Sequence, residues 1–370
     1  MMNKDLTDIF AFIRYCVDDE GSIPVFREEA DWEELFLFMK QQTLVGIGFG
    51  GVEKTRRKGS EIPRKLLLRW FGLAEKIRRQ NKVVNERAVQ LMRLLEKEGM
   101  RGCVLKGQGN AIMYPDPYER ASGDIDVWVD GSRKDIMTFV RRMFPSTFLR
   151  YHHVEVPVFK DVTVEVHFMP SIMNNPMYNR RLQKWFKERK EVQFGNFVVL
   201  PDDVGKIAVP TLEFNIVYQL SHMMHHFFDE GIGLRQIMDY YYLLKRIGQN
   251  RQQPLASIVK ADELEYLGMR KFAGAVMYVE KRVFGLGDEY LIAEPDEKRG
   301  KLLLREIIDG GNFGRYSDIT NSSMGRKYFL KSKRNYGEYA RYYPAEAMSE
   351  PLFRTCHFFW RQWHRLVADR

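Results

Sequence analysis

RGCVLKGQGNAIMYPDPYERASGDIDVWVD, residues 101–130, ends in Gly123-Asp124-Ile125-Asp126-Val127-Trp128-Val129, a glycine leading into an apolar strand whose alternate residues are acidic. Side chains alternate across a strand, so Asp124 and Asp126 share one face with alpha carbons roughly 6–7 Å apart, while Ile125, Val127 and Val129 turn to the other. Carboxylates so close repel and raise each other's pKa unless a cation lies between them. The pattern points to a divalent metal site and to phosphoryl or nucleotidyl transfer.

Working outward, Val162-Thr163-Val164-Glu165-Val166-His167-Phe168 alternates in the same way and puts Glu165 and His167 on one face. A neighbouring strand would carry Glu165 to the aspartates. Three carboxylates can hold two Mg²⁺ about 3.5–4 Å apart, which activate a hydroxyl and neutralise a transferring phosphate.

Val104-Leu105-Lys106-Gly107-Gln108, then Gly123-Asp124-Ile125-Asp126, then Glu165-Val166-His167 resemble the polymerase-β-type nucleotidyltransferases, and most closely their uncharacterised bacterial branch with an LKG...GDID...ExH pattern. The resemblance spans about residues 85–245. It implies that Asp124 and Asp126 bind both metals, that Glu165 binds the catalytic one, and that Mg²⁺, with Mn²⁺ as its substitute, is the cofactor. Where the superfamily has Gly-Ser after its first strand, this chain has Gly107-Gln108, preceded by Lys106. A helix starting at Gly107 would aim free amides at an anion, with Lys106, Gly107, Gln108, Arg120 and Gly123 as the phosphate contacts. For Lys106 and Arg120 the competing reading is an ion pair with a nearby carboxylate.

At 370 residues with 45% hydrophobic content, the chain can build two or three domains with real cores. The first residues lack a signal-peptide apolar run, and no stretch is long and apolar enough for a membrane span, so the expectation is a cytoplasmic protein. Three scattered cysteines, Cys16, Cys103 and Cys356, agree with a reducing compartment. The net charge of +9 suits phosphate-bearing ligands without choosing among nucleoside triphosphate, RNA or another anion.

Before the central stretch, helical spacing predicts helices over 4–17 and 29–41, with a turn at Gly21-Ser22-Ile23-Pro24. Gly46-Ile47-Gly48-Phe49-Gly50-Gly51 reads as a flexible connector and not a P-loop, because it leads to Lys54–Lys58 and not out of a strand-loop-helix unit. Pro63 to Glu98 reads as one long helix whose basic residues form a solvated face or line a polyanion groove. Within the core, the expected elements are strand 102–106, helix 107–114, strand 124–129, a helix from Ser132 opened by a Ser132/Asp135 cap, and strands near 147–151, 154–159 and 162–168, with 192–200 as a further strand. His152 and His153 read as structural, since nothing nearby in sequence completes a ligand set. His167 reads as a second contact beside Glu165 or as an ordinary sheet histidine.

After Pro210 the period becomes helical, with one helix through Leu212–Met223, another through Leu234–Leu244 and a third over 262–284. His222 and His226 lie four apart on the first, Arg235 and Asp239 four apart on the second. Three readings stay open: a metal pair, a buried His-Arg-Asp network, or substrate contacts from a helical domain closing over the nucleotide, as the resemblance implies. The tail interleaves aromatics, among them Tyr328, Phe329, Tyr339, Tyr343, Phe358, Phe359, Trp360 and Trp363, with basic residues. Helix packing is favoured there over base stacking.

The expected architecture is α+β: a helical N-terminal segment (1–98), a small mixed-sheet nucleotidyltransferase core (99–200) and a helical C-terminal domain (201–370). The expected reaction moves a nucleoside monophosphate from a nucleoside triphosphate to a hydroxyl acceptor that is a small molecule, protein or RNA. The alternatives are an inactive nucleotidyltransferase-fold binding module and, disfavoured because only one strand precedes the acidic pair, an Asp-x-Asp glycosyltransferase.

Overall fold

The computed structural model describes residues 6–18, 26, 28–59, 61–144, 148–249, 258–316, 330–331 and 333–368. Its helices up to residue 249 are α1 (Thr7–Val17), α2 (Glu29–Gln41), α3 (Val45–Arg57), α4 (Arg64–Lys97), α5 (Gln108–Ala111), α6 (Arg133–Met143), α7 (Pro176–Gly195), α8 (Leu212–Asp229) and α9 (Leu234–Gln249). Strands β1 (Gly102–Val104), β2 (Ile125–Val129), β3 (Phe148–Leu149), β4 (His153–Val156) and β5 (Val164–His167) form one sheet in the order β1-β2-β5-β4-β3. Only β2 and β5 run parallel; the other neighbours are antiparallel, so the sheet is mixed and the fold α+β.

Alternation gives the sheet two unlike faces. Val104, Ile125, Val127, Val129, Val154, Val156, Val164 and Val166 turn to one side, where Val84, Ala88, Leu91 and Leu95 of α4 and Ile136 and Val140 of α6 close a core over them. The opposite face carries the polar residues. Register sets Asp126 beside Glu165 and Glu165 beside Glu155, and in the next row Trp128 beside His167 and His167 beside His153. Trp128 roots that face in a second core by packing on Phe194 of α7 and Phe214 of α8, the two long helices that follow the sheet. Helix α8 thereby lies over the acidic ledge.

Four sequence expectations change. The Gly46–Gly51 run is helix α3, because its glycines are contact points: a Cβ on Gly46 would lie 2.1 Å from the Glu119 carbonyl oxygen, and one on Gly51 2.3 Å from Cys16 Sγ. The helix after Gly107 is a single turn, since the chain must bend back at Pro115 toward β2. Residues 197–199 pair with 206–208 as a separate two-stranded sheet and do not extend the main one. The helix expected over 262–284 is two, Ala261–Tyr266 and Arg270–Val279, parted by left-handed Gly268, with a wider turn over Glu280–Phe284.

Other expectations stand. Helix α4 is continuous, and Ser132 with Asp135 forms the capping box of α6. The basic face of α4 is tied down at four points: Arg69 to Glu33, Arg78 to Asp116, Lys82 to Asp202 and Arg87 to Asp161. In the tail the packing expectation holds only in part: Tyr339 and Tyr343 are core residues, but Phe358, Phe359 and Trp363, expected to pack, stand exposed. The turn at 21–24 and Tyr328 and Phe329 fall outside the described residues. Among the described residues no helix is long and apolar enough to cross a membrane, and the three cysteines are free.

Candidate active site

One continuous chain of polar atoms runs across the ledge. Lys106, one residue before the left-handed turn at Gly107, puts Nζ 3.2 Å from Asp126 Oδ2 and 3.3 Å from His222 Nε2 of α8. On the other side of that carboxylate, Asp126 Oδ1 is 3.0 Å from His167 Nε2, and His167 Nε2 is 3.5 Å from Glu165 Oε2. Glu165 Oε2 is then 3.6 Å from His153 Nδ1, which is 3.0 Å from His152 Nε2. The parallel β2/β5 pairing builds the centre, because it sets Asp126 and Glu165 directly abreast.

The charges follow from burial and neighbours. Burial works to raise the Asp126 pKa, but Lys106 and the hydrogen bond from His167 outweigh it and hold the carboxyl well below the usual range. Burial likewise opposes charge on Lys106 and loses to Asp126, Asp124 and Glu165, so the ammonium persists. His167 is pushed up to about 9: burial disfavours its cation, but the hydrogen bonds to Asp126 and Glu165 prevail. Glu165 goes the other way, raised chiefly by burial. His222 is held neutral by burial and by the Lys106 charge, and His153 is lowered to about 2, first by burial and then by His167.

A hard divalent cation fits this donor set. The carboxylates Asp126 and Glu165 each offer an oxygen within 4.8 Å of the other, and buried Asp126 Oδ2 accepts no hydrogen bond, only the Lys106 charge. Asp124, the residue before β2, is half-buried and stands outside that tight group, yet its charge acts on Lys106, Glu165 and Arg235. Gly123 is exposed, and a Cβ there would meet nothing within 4 Å, so the backbone before Asp124 faces open space.

Several expected ligand contacts have other partners. Arg120 and Asp239 grip each other in a buried two-point pair, at 2.7 Å on both arms, and Tyr114 adds a 2.6 Å bond to Asp239. Those two residues brace the loop before β2 against α9, the ion-pair reading of Arg120. Gln108 is buried and donates to Asn85 of α4, which turns it away from any phosphate. Of the three readings left open for His222, His226, Arg235 and Asp239, a single His-Arg-Asp hydrogen-bond network is not formed among the described residues. His222 meets Lys106, and His226 stacks between His222 and Phe313. Arg235 donates to the Ala121 carbonyl oxygen at 3.0 Å and leaves its buried Nε without a hydrogen-bond partner.

Sequence reasoning missed three residues. His152 and His153 join the ledge because β4 pairs with β5 and sets His153 opposite His167, a register that spacing alone cannot give. Phe313 lies nearly two hundred residues from the acids, in a turn with φ 55°, a left-handed conformation costly for a bulky side chain. Its ring stands 5.3 Å from that of His226 and 5.6 Å from the Arg235 guanidinium. Its only sequence signal is the flanking pair Gly311 and Gly314.

A small mixed sheet with one acid on β2, another just before it and a third on parallel β5 is a nucleotidyltransferase-type core. A family model described as uncharacterised nucleotidyltransferase matches residues 28–285, more than half of the chain, and the protein belongs to that family. The match takes in α2, α3 and α4 as well as the sheet, so the helices before it are part of the family's unit. Among solved structures, an antigenic nucleotidyltransferase-like protein from Paracoccidioides brasiliensis is similar at 11% identity over 59% of this chain and 95% of that one, with a TM-score of 0.35. No curated protein matches the chain significantly.

Proposed function

We propose that the protein is a Mg²⁺-dependent nucleotidyltransferase that moves a nucleoside monophosphate from a nucleoside triphosphate to a hydroxyl acceptor. The observation that carries this reading is the Asp126–Glu165 pair set abreast by β2 and β5, with Asp124 at its edge and Lys106 against it. Asp124, Asp126 and Glu165 would hold two magnesium ions, or manganese in their place. Bound there, the metal supplies Lewis-acid neutralisation of phosphate charge and a more acidic acceptor hydroxyl.

The chain's own residues do the rest. Lys106 is a long, charged side chain resting on Asp126, and with a cation held at that carboxylate its ammonium would be available to triphosphate oxygens. Arg235 and the open backbone at Gly107 and Gly123 supply further contacts for phosphate oxygens. Glu165, whose carboxyl burial makes more basic, takes the acceptor proton at Oε2, with His167 Nε2 3.5 Å away to orient the carboxylate beforehand. Helix α8, through His222 and His226, roofs the site and keeps water from competing with the acceptor.

The test is thermal stabilisation by each of the four common nucleoside triphosphates, with and without Mg²⁺. At least one should raise the melting temperature in step with the logarithm of its concentration, only with the metal, and neither Asp124→Asn nor Asp126→Asn should respond. Equal stabilisation of the variants, or stabilisation that ignores the metal, would refute the reading.

A further inference from the structure

Six of the chain's eight histidines lie in or beside the ledge, and the proposed transfer accounts for few of them. His152 and His153 take no part in it. Their rings contact one another at 4.5 Å, the His167 ring lies 5.5 Å from His152 and 5.1 Å from His153, and His225 of α8 closes the cluster 5.8 Å from His152. Imidazoles seldom crowd together in this way without an acid or a carbonyl for each N–H. Here His153 Nε2 and His167 Nδ1, both buried, have no protein partner at all.

The near-side atoms are the informative ones. A tetrahedral ion with bonds of about 2.0–2.1 Å holds its donors about 3.3 Å apart. Along the ledge, His152 Nε2 to His153 Nδ1 is 3.0 Å, His153 Nδ1 to Glu165 Oε2 is 3.6 Å, and Glu165 Oε2 to His167 Nε2 is 3.5 Å. One donor from each of the three histidines falls within 4.8 Å of the other two. The three histidine donors therefore already stand within reach of one ion, and Glu165 Oε2 lies beside His153 and His167 as a fourth. Since no protein hydrogen bond fixes the far nitrogens of His153 and His167, each ring is free to carry its proton there and turn a lone pair inward. His152 and Glu165 are only half-buried.

We propose that His152, His153, His167 and Glu165 form a second metal site, which takes a single borderline transition ion of the zinc class. Three imidazoles and one carboxylate suit Zn²⁺, Co²⁺ or Ni²⁺, whereas magnesium seeks an oxygen shell, so the two donor sets select different ions. Glu165 is the residue they share. A zinc-class ion would fix its position beside Asp126 and take the place of the proton that His167 otherwise holds. The inference does not depend on nucleotidyl transfer.

The test uses the full chain, stripped of metal with a chelator and titrated with Co²⁺, whose tetrahedral complexes absorb visible light strongly while Mg²⁺ gives no signal. The wild type should develop that absorption at one equivalent and lose it when Zn²⁺ is added. His153→Ala and His152→Gln should each weaken Co²⁺ binding by about tenfold or more, whereas Asp124→Asn should bind as the wild type does. His152→Gln, at a half-exposed position, serves if His153→Ala does not fold. No tetrahedral absorption in the wild type, or full absorption in the folded histidine variants, overturns the proposal. Because the signal comes from Co²⁺ in the absence of nucleotide, it can fail while Mg²⁺-dependent nucleotide binding succeeds, and the reverse.

Discussion

Arg120 and Arg235 meet at the loop before β2, and the proposed function gives them opposite jobs. Removing the Arg120 guanidinium leaves the Asp239 carboxylate buried with only Tyr114 and Asn110 to satisfy it, and breaking such a pair costs about 3–5 kcal/mol. Arg120→Ala should therefore lower unfolding stability by that order in a denaturant titration. Arg235→Ala removes a side chain with one hydrogen bond to a carbonyl, so its stability should shift by about 1 kcal/mol, while its affinity for a Mg²⁺-nucleoside triphosphate should fall about tenfold. A large stability loss in the Arg235 variant would mean that both arginines are braces. The sequence placed these two residues near the site but could not assign their partners. Arg120 and Arg235 both lie near Asp239, and only the folded loop shows which one it holds.

At the level of elements, the strands and long helices were legible because their periodicity is strong: α4 from Pro63 to its end, β2 and β5 from alternation, and the cap of α6 from Ser132 and Asp135. The failures have a common cause. Glycines at Gly46–Gly51 signal a loop by propensity, yet here they let α3 press on Glu119 and Cys16, an effect visible only once those partners are in place. The final helix, Pro344–Ala368, shows a similar dependence on tertiary context. Its Glu346 accepts the backbone N–H groups of Asn174 at 2.8 Å and Asn175 at 3.2 Å, and so ties the helix to the segment after β5. Burial raises that carboxyl to about 7 from 4.5, against the pull of the two amides. The folded protein thus holds the proton more tightly than the unfolded chain between pH 4.5 and 7, so stability falls as pH rises through that window. Glu346→Gln should flatten the decline by up to about 3 kcal/mol in unfolding experiments at several pH values. An unchanged slope would show that Glu346 titrates normally.

Across the whole molecule, the site depends on segments far apart in the chain. Lys106 and Asp126 come from the central stretch, Glu165, His153 and His167 from strands aligned by register, and His222, His226, Arg235 and Phe313 from the helices beyond. The acidic half could be read from the sequence because each carboxylate lies within a short alternating strand. Of the basic and aromatic half, the resemblance pointed to His222, His226 and Arg235 but not to their partners, and Phe313 was missed, since their placement depends on how α8, α9 and the Gly311–Gly314 turn settle over the sheet. What unites the halves in this account is a cation at Asp126, a place that Lys106 holds through its own charge.

Anomalous diffraction from crystals grown with Mn²⁺ and a non-hydrolysable nucleoside triphosphate would examine that point directly. The expected result is manganese density bounded by Asp124, Asp126 and Glu165, triphosphate oxygens beside it, and Lys106 Nζ moved off Asp126 toward them. Manganese bound elsewhere, or Lys106 still seated on Asp126 with no phosphate in the cleft, would contradict the account.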